Sequence, residues 1–243
     1  MPIIGSAVGV RAFGGIGASA GAGEVEETFT TSGTFVVPAN ISSISAVCIA
    51  GGGGGGGSAI SPGGGGGSGG GLSYKNNISV TAGETLTITV GSYGSGAAVP
   101  SNPPGGTDNG DNGGDTKILR GSTVLLEARG GFGGFGASYA QAVGGAGGPN
   151  IDNSYSGTNG GAGGAKTGQG AGGGKAGDYT TTPGNESEGV GGEGRSVLGE
   201  GVAGTPDPQY SQRGGSYGGG GAGGRQFGWR GGAGAARITS DPI

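Results

Sequence analysis

The sequence predicts a mainly β protein built partly from polyglycine II. The expected layout is a small N-terminal antiparallel β scaffold followed by a bundle of glycine-rich, polyproline II-like rods joined by loops, with little or no α-helix. Three observations predict it. Glycine supplies 73 of the 243 residues and comes in runs, among them Gly51–Gly57, Gly63–Gly67, Gly69–Gly71 and Gly218–Gly221. Between Glu27 and Gly91 apolar and polar residues alternate with the period of two that a half-buried strand needs. After Gly130 short Gly/Ala runs alternate with polar loops, the layout of parallel segments joined by turns.

The glycine runs have two possible fates. Glycine buries no side chain and loses the most backbone entropy on ordering, so such a chain stays disordered or folds without a side-chain core. Disordered chains are usually highly charged and poor in β-branched residues; here only 12% of residues are charged. Glycine can take up the polyproline II helix, which has three residues per turn, a rise of about 3.1 Å and no internal hydrogen bonds. Its N–H and C=O groups then point outward all round the rod and need partners. With no Cβ in the way, rods can approach closely and bond laterally to several neighbours. Gly51–Gly57 would span roughly 20 Å in that form.

Taken in chain order, residues 1–26 are the first unit, with Ile3, Ile4, Val8, Val10, Phe13 and Ile16 scattered among Gly and Ala. A frayed tail is one reading; a docking segment that becomes ordered against a partner is the sharper one, because these apolar side chains would be wasted in solvent. Residues 27–130 are read as the β scaffold with the first glycine tracts. Within it, residues 28–37 alternate as one strand and Pro38-Ala39-Asn40 turn the chain. Residues 44–50 form a strand buried on both faces that runs straight into Gly51. Ile78–Val80 and Leu86–Val90 read as a hairpin about Ala82-Gly83-Glu84. Residues 92–114 read as a loop, and 117–119 with 123–128 as a second hairpin about Arg120-Gly121-Ser122. Residues 131–243 are the expected rod bundle, closed by a short strand at Arg237-Ile238-Thr239.

Composition removes several function classes. The net charge is −4 without a basic stripe, which argues against nucleic-acid binding. Histidine is absent, and with it the usual general base and the commonest metal ligand. Cys48 is the single cysteine, so neither an internal disulfide nor a cysteine zinc site is expected. No run approaches the roughly 20 apolar residues of a membrane span, and the opening residues lack the basic region of a secretory leader. The expectation is a non-enzyme with no cofactor and no membrane insertion.

Some residues carry a resemblance. Phe35-Val36-Val37-Pro38-Ala39-Asn40-Ile41, then Ile44-Ser45-Ala46-Val47-Cys48-Ile49-Ala50 entering Gly51–Gly57, resembles the glycine-rich domain of bacteriophage tail fibre and fibre-tip proteins. Tyr74-Lys75-Asn76-Asn77-Ile78-Ser79-Val80-Thr81-Ala82-Gly83-Glu84-Thr85-Leu86 is similar to its second block, with Ala82 where Pro is usual. Gly231-Gly232-Ala233-Gly234-Ala235-Ala236-Arg237-Ile238 is similar to its closing block. The likeness runs from about residue 27 to 239. It implies a virion protein, and among its relatives fibre-tip adhesins whose polyglycine II rods carry loops that bind the host surface.

The remaining motifs are weak. G-x-G-x-x-G matches, such as Gly51, Gly53 and Gly56, arise by chance at this glycine content, and no helix follows to face a phosphate. Asp108, Asp111 and Asp115 with Asn109 and Asn112 offer oxygen ligands without the spacing of a calcium loop, and read better as a solvated loop. A glycosidase-like acid pair at Glu186 and Glu188 has no sign of a pocket. Tyr93, Tyr139, Tyr155, Tyr179, Tyr210 and Tyr217 lie in or beside the non-glycine loops. Tyrosine among Ser, Gly and Asn is the composition of adaptable binding loops; the same rings could equally staple loops onto bare backbone.

The function expected is that of a phage virion structural protein at a tail fibre or fibre tip. Its partners would be another fibre or tail protein, through the N-terminal segment, and a host cell-surface glycan or outer-membrane protein. A homotrimer fits fibre symmetry, although the rods could also complete their lattice within one chain. The alternatives are an accessory fibre or spike protein without receptor binding, and an ice-binding protein, which the irregular loops disfavour.

Overall fold

The computed structural model describes residues 25–58, 64–98, 107–136, 194–195, 201–202, 217–222 and 228–240. They contain strands and extended segments, and no helix among the described residues. The strands are β1 (Glu26–Phe29), β2 (Gly33–Val36), β3 (Ser43–Ile49), β4 (Gly57–Ser58), β5 (Leu72–Ser79), β6 (Thr85–Thr89), β7 (Thr107–Asp108), β8 (Thr116–Arg120), β9 (Thr123–Ala128), β10 (Gly194–Arg195), β11 (Gly201–Val202) and β12 (Ala235–Thr239).

Two antiparallel four-stranded sheets make the scaffold, in the orders β1-β12-β3-β5 and β2-β6-β8-β9. The closing strand β12 sits between β1 and β3, with Ala236 opposite Cys48 and Ile238 opposite Glu27 and Ala46. Alternation places Phe35, Leu86, Ile88, Ile118 and Leu126 of one sheet against Ile44, Ala46, Cys48, Ile78 and Ile238 of the other, in one buried cluster. Burial of these side chains supplies the ordinary hydrophobic stabilisation of the molecule. Strand β3 is also buried on its second face, where Val47 and Ile49 join Leu72 and Ala235, as its continuous apolar sequence predicts.

Two sequence expectations change. The ten alternating residues 28–37 are not one strand. The chain bends at residues 30–31, so β1 joins one sheet and β2 the other. Nor do Ile78–Val80 and Leu86–Val90 form a hairpin: β5 pairs with β3, and β6 pairs with β2 and β8. The turn at 81–84, with Gly83 at φ 79°, carries the chain from one sheet to the other. A corner and a hairpin leave the same alternation in sequence; what differs is which strand edges are already taken. The hairpin β8–β9 forms as expected, about Gly121 at φ 56°.

Beyond the sheets the glycine segments lie side by side. Strands β3, β6 and β9 run directly into segments 51–56, 91–97 and 129–136, and segments 64–71, 109–115 and 228–234 run directly into β5, β8 and β12. Segment 218–222 completes the set. Segment 51–56 lies at the centre, and its hydrogen bonds follow a period of three. Gly51 and Gly54 donate to Gly114 and Asp111, Gly52 and Gly55 to Gly232 and Trp229, and Gly53 and Gly56 to Ser68 and Gly65. The carbonyls alternate in the same way. Gly51 and Gly54 accept from Gly131 and Gly134, Gly52 and Gly55 from Gly94 and Ala97, and Gly53 from Gly221. Six segments therefore surround one.

The surrounding ring is closed. Segment 64–71 bonds to 129–136 (Gly65 to Phe135, Ser68 to Phe132, Gly71 to Arg129), which receives bonds from 109–115 (Gly110 to Gly134, Gly113 to Gly131). Segment 109–115 bonds to 91–97 (Asp111 to Ser95, Gly114 to Ser92), and 91–97 accepts from 228–234 (Gly228 to Ala97, Gly231 to Gly94, Gly234 to Gly91). Segment 228–234 bonds to 218–222 (Gly232 to Gly219), and 218–222 accepts from 64–71 (Gly67 to Gly221, Gly70 to Gly218). Residue numbers run oppositely across each contact of the ring, so neighbours alternate in direction.

Glycine is required where a Cβ would meet a neighbour's backbone. A Cβ built on Gly51, Gly52, Gly53 or Gly54 would lie 1.9–2.2 Å from a backbone oxygen of Ser92, Gly219, Phe132 or Ser95. The expectation of a loop over 92–114 is thereby corrected. Its two ends, 91–97 and 109–115, belong to the array, and their glycines at 91, 94, 110 and 113 face its interior.

Candidate binding surface on the glycine array

The array has an outer side and a far end, and each presents functional groups. On the outer side of segment 129–136 the two non-glycine positions after Arg129 are Phe132 and Phe135, one three-residue period apart. They are 45% and 49% exposed, enough for each ring to offer a face to a partner. Beside them segment 109–115 places Asn109, Asn112 and Asp115, also at a period of three. Their Oδ1 atoms accept the N–H groups of Gly136, Gly133 and Gly130 at 2.9, 2.9 and 3.0 Å. On the other flank Tyr93 is exposed, with the Arg230 guanidinium 4.6 Å from its ring centroid, a cation–π contact that joins segments 91–97 and 228–234.

The far end is where the described chain departs from and rejoins the array. It leaves at Ser58, Ala98, Gly136 and Ala222 and returns at Gly64, Thr107 and Gly228. The bonds Gly56 to Gly65, Gly65 to Phe135, Gly228 to Ala97 and Trp229 to Ala222 place these points at one level, opposite the sheets. The short pairing of β4 with β7 lies there too.

Of the tyrosines predicted as contacts, Tyr93 and Tyr217 are described. Tyr93 lies within an array segment rather than between two, and it is the open one. Tyr217, at φ 61°, packs against the Val47, Ile49, Leu72 and Ala235 cluster, where it acts as a staple. Tyr139, Tyr155, Tyr179 and Tyr210 lie outside the described residues, as do the attachment candidates Ile3, Ile4, Val8, Val10, Phe13 and Ile16. The solvated-loop reading of Asp108–Asp115 gives way to a ladder: Asn109, Asn112 and Asp115 are engaged by glycine N–H groups, and Asp108 Oδ1 accepts from Asn109 N–H at 2.9 Å. Among the described residues no group of three or more His, Cys, Asp or Glu is placed to hold a metal ion.

Titratable groups serve the scaffold. The Cys48 thiol is wholly buried, and desolvation followed by the charge of Glu127 pushes its pKa well above the ordinary range. Glu127 accepts from Lys117 Nζ at 2.7 Å, with Asp115 at 3.2 Å on the same ammonium, and the hydrogen bond to Glu127 leads in raising the lysine pKa.

Sequence reading missed Phe132, Phe135 and Arg230 as surface groups. For the two phenylalanines the signal was a period of three rather than a run: Arg129, Phe132 and Phe135 share one outward line, as Asn109, Asn112 and Asp115 share another. No curated protein matches the chain. Residues 28–239 match the family profile described as a glycine-rich domain, and the chain belongs to that family.

Proposed function

We propose that the segments are polyglycine II rods and that the protein is a structural component of a phage virion, at a tail fibre or fibre tip. In this reading it attaches to the host surface through groups at the far end of the rods. The observation that carries it is the bonding of Gly51–Gly56, in which each successive residue addresses a different neighbour and the fourth returns to the first. That is the pattern of a threefold helix whose backbone polar groups point outward. A β scaffold fixes one end of the rods, and the chain connections gather at the other. A partner meeting that end would touch the non-glycine residues there, and no catalytic constellation stands among the described residues.

The test has two arms. Antibody to the purified protein is used to label virions for electron microscopy, and the purified full chain competes with virions for adsorption to host cells. Fibre-tip labelling together with competition supports the proposal. Labelling without competition favours an accessory fibre or spike protein, the reading that Tyr217 supports by packing on the sheet instead of facing outward. No labelling of any virion appendage overturns both.

A further inference from the structure

In an array of segments packed side by side, a further segment would add in the notch between two members of the ring, where outward N–H and C=O groups await partners. The notch between 109–115 and 129–136 is an outer one: Asn109, Asn112, Phe132 and Phe135 are exposed on its two walls. The glycine donors of its 129–136 wall are already engaged. On 129–136 the N–H groups of Gly131 and Gly134 go to the central segment. Those of Gly130, Gly133 and Gly136 go to Asp115, Asn112 and Asn109. That of Phe132 goes to Ser68 Oγ at 2.7 Å. The Asx side chains take the place that the carbonyls of another glycine segment would occupy, at the same three-residue period.

We propose that Asn109 and Asn112, continued by Asp115, form a side-chain edge that closes this side of the array against lateral addition of a segment from a second copy of the chain. The principle is that of a protected sheet edge: unpaired backbone groups are templates for association, and capping them keeps molecules apart. Asn suits the role because its side-chain carbonyl reaches the neighbouring N–H. Glycine at the same position would leave the neighbouring donor open and clear the notch.

The experiment compares the full chain with Asn109→Gly/Asn112→Gly and with Asn109→Asp/Asn112→Asp. The aspartate pair keeps an acceptor at both positions and is measured at high salt, where the added charges are screened. In the glycine pair, amide exchange at Gly133 and Gly136 rises roughly tenfold, the loss of one net hydrogen bond each. Sedimentation velocity shows species larger than the parent's that grow with protein concentration. The aspartate pair sediments as the parent does. The proposal is overturned if the glycine pair keeps the parent's circular dichroism and denaturation cooperativity yet sediments identically over the whole concentration range. It is overturned equally if Gly133 and Gly136 exchange at parental rates. Should the double variant not fold, Asn109→Gly alone opens the end of the ladder at Gly136, and parental sedimentation of that variant sinks the proposal.

Discussion

Gly54 faces the carbonyl of Ser95 so closely that a Cβ on Gly54 would lie 1.9 Å from the oxygen. The obstacle is backbone, itself bonded to Asp111 N–H at 2.9 Å, so it cannot swing aside as a side-chain tip would. Gly54→Ala is expected to destabilise the protein by about 3 kcal/mol or more, through overpacking against fixed atoms. The comparison is Gly83→Ala, at φ 79° with open space around it, where only the left-handed backbone resists and the cost is about 1 kcal/mol. Urea denaturation of the two variants separates the mechanisms. Equal losses would mean that Gly54 matters for its conformational freedom and not for close approach.

This distinction explains what was legible in the sequence. Strand β6 and the hairpin β8–β9 followed from period-two alternation, because each has one face on a core; β3 followed from a continuous apolar run, because it is buried on both faces. Glycine runs such as Gly51–Gly57 marked the centre of the array, where every position meets a neighbour. The outer segments were harder. Ser92, Tyr93 and Ser95, or Asn109, Asp111 and Asn112, look like loop residues, yet they occupy outward positions of segments whose inward positions are Gly91, Gly94, Gly110 and Gly113. Glycine is needed only where a Cβ would meet a neighbour's backbone, so the informative signal is its spacing and not its abundance. The bend at residues 30–31 and the corner at 81–84 were hidden for another reason: alternation records which residues are buried, not which sheet buries them.

Cys48 makes stability fall on the alkaline side. Its folded pKa is raised far above the ordinary 9.0 by burial. Above pH 9 the unfolded chain therefore releases the thiol proton while the folded chain holds it. Stability from this group is fully present below the unfolded pKa and declines above it by up to about 1.4 kcal/mol per pH unit. Denaturation midpoints from pH 8 to about pH 10.5 should drop more steeply for the parent than for Cys48→Ala, whose slope reflects the remaining groups alone. A thiol reagent added to the native protein at neutral pH should react at the rate of unfolding. Parallel pH slopes for parent and variant would refute the assignment.

The corner between the sheets is tied on the acid side. Glu84 holds Arg120 by a side-chain hydrogen bond and accepts Thr81 N–H at 3.0 Å. These contacts, Arg120 first, lower its pKa below the ordinary 4.5. Arg120 also donates to the Ser79 carbonyl at 2.6 Å, so one guanidinium links the end of β5 to the start of β6. Because the pair is open to solvent, its contribution is about 0.5–1 kcal/mol. A depressed carboxylate pKa contributes stability above the unfolded value and loses it as pH falls through the folded one. The difference between parent and Glu84→Gln should therefore be present at pH 6 and vanish progressively below pH 4.5. A difference that persists undiminished at pH 2 would assign it to shape and not to charge.

Thr116 joins scaffold to array. Its buried Oγ1 donates to the Ile49 carbonyl at 2.8 Å, where β3 passes into the central segment, and accepts Gly91 N–H at 3.0 Å, where β6 passes into 91–97. Three strand-to-segment junctions thus meet on one hydroxyl, since Thr116 itself opens β8 after segment 109–115. Thr116→Val keeps the volume but strands a buried donor and a buried acceptor, at a cost of about 2–3 kcal/mol. Thr116→Ser keeps the hydroxyl and loses only a methyl group, about 1 kcal/mol. The ordering Ser above Val in thermal stability is the expected result, with faster amide exchange at Gly91 in the valine variant alone. The reverse ordering would show that the methyl group matters more than the bridge, and that the array is held to the sheets by other contacts.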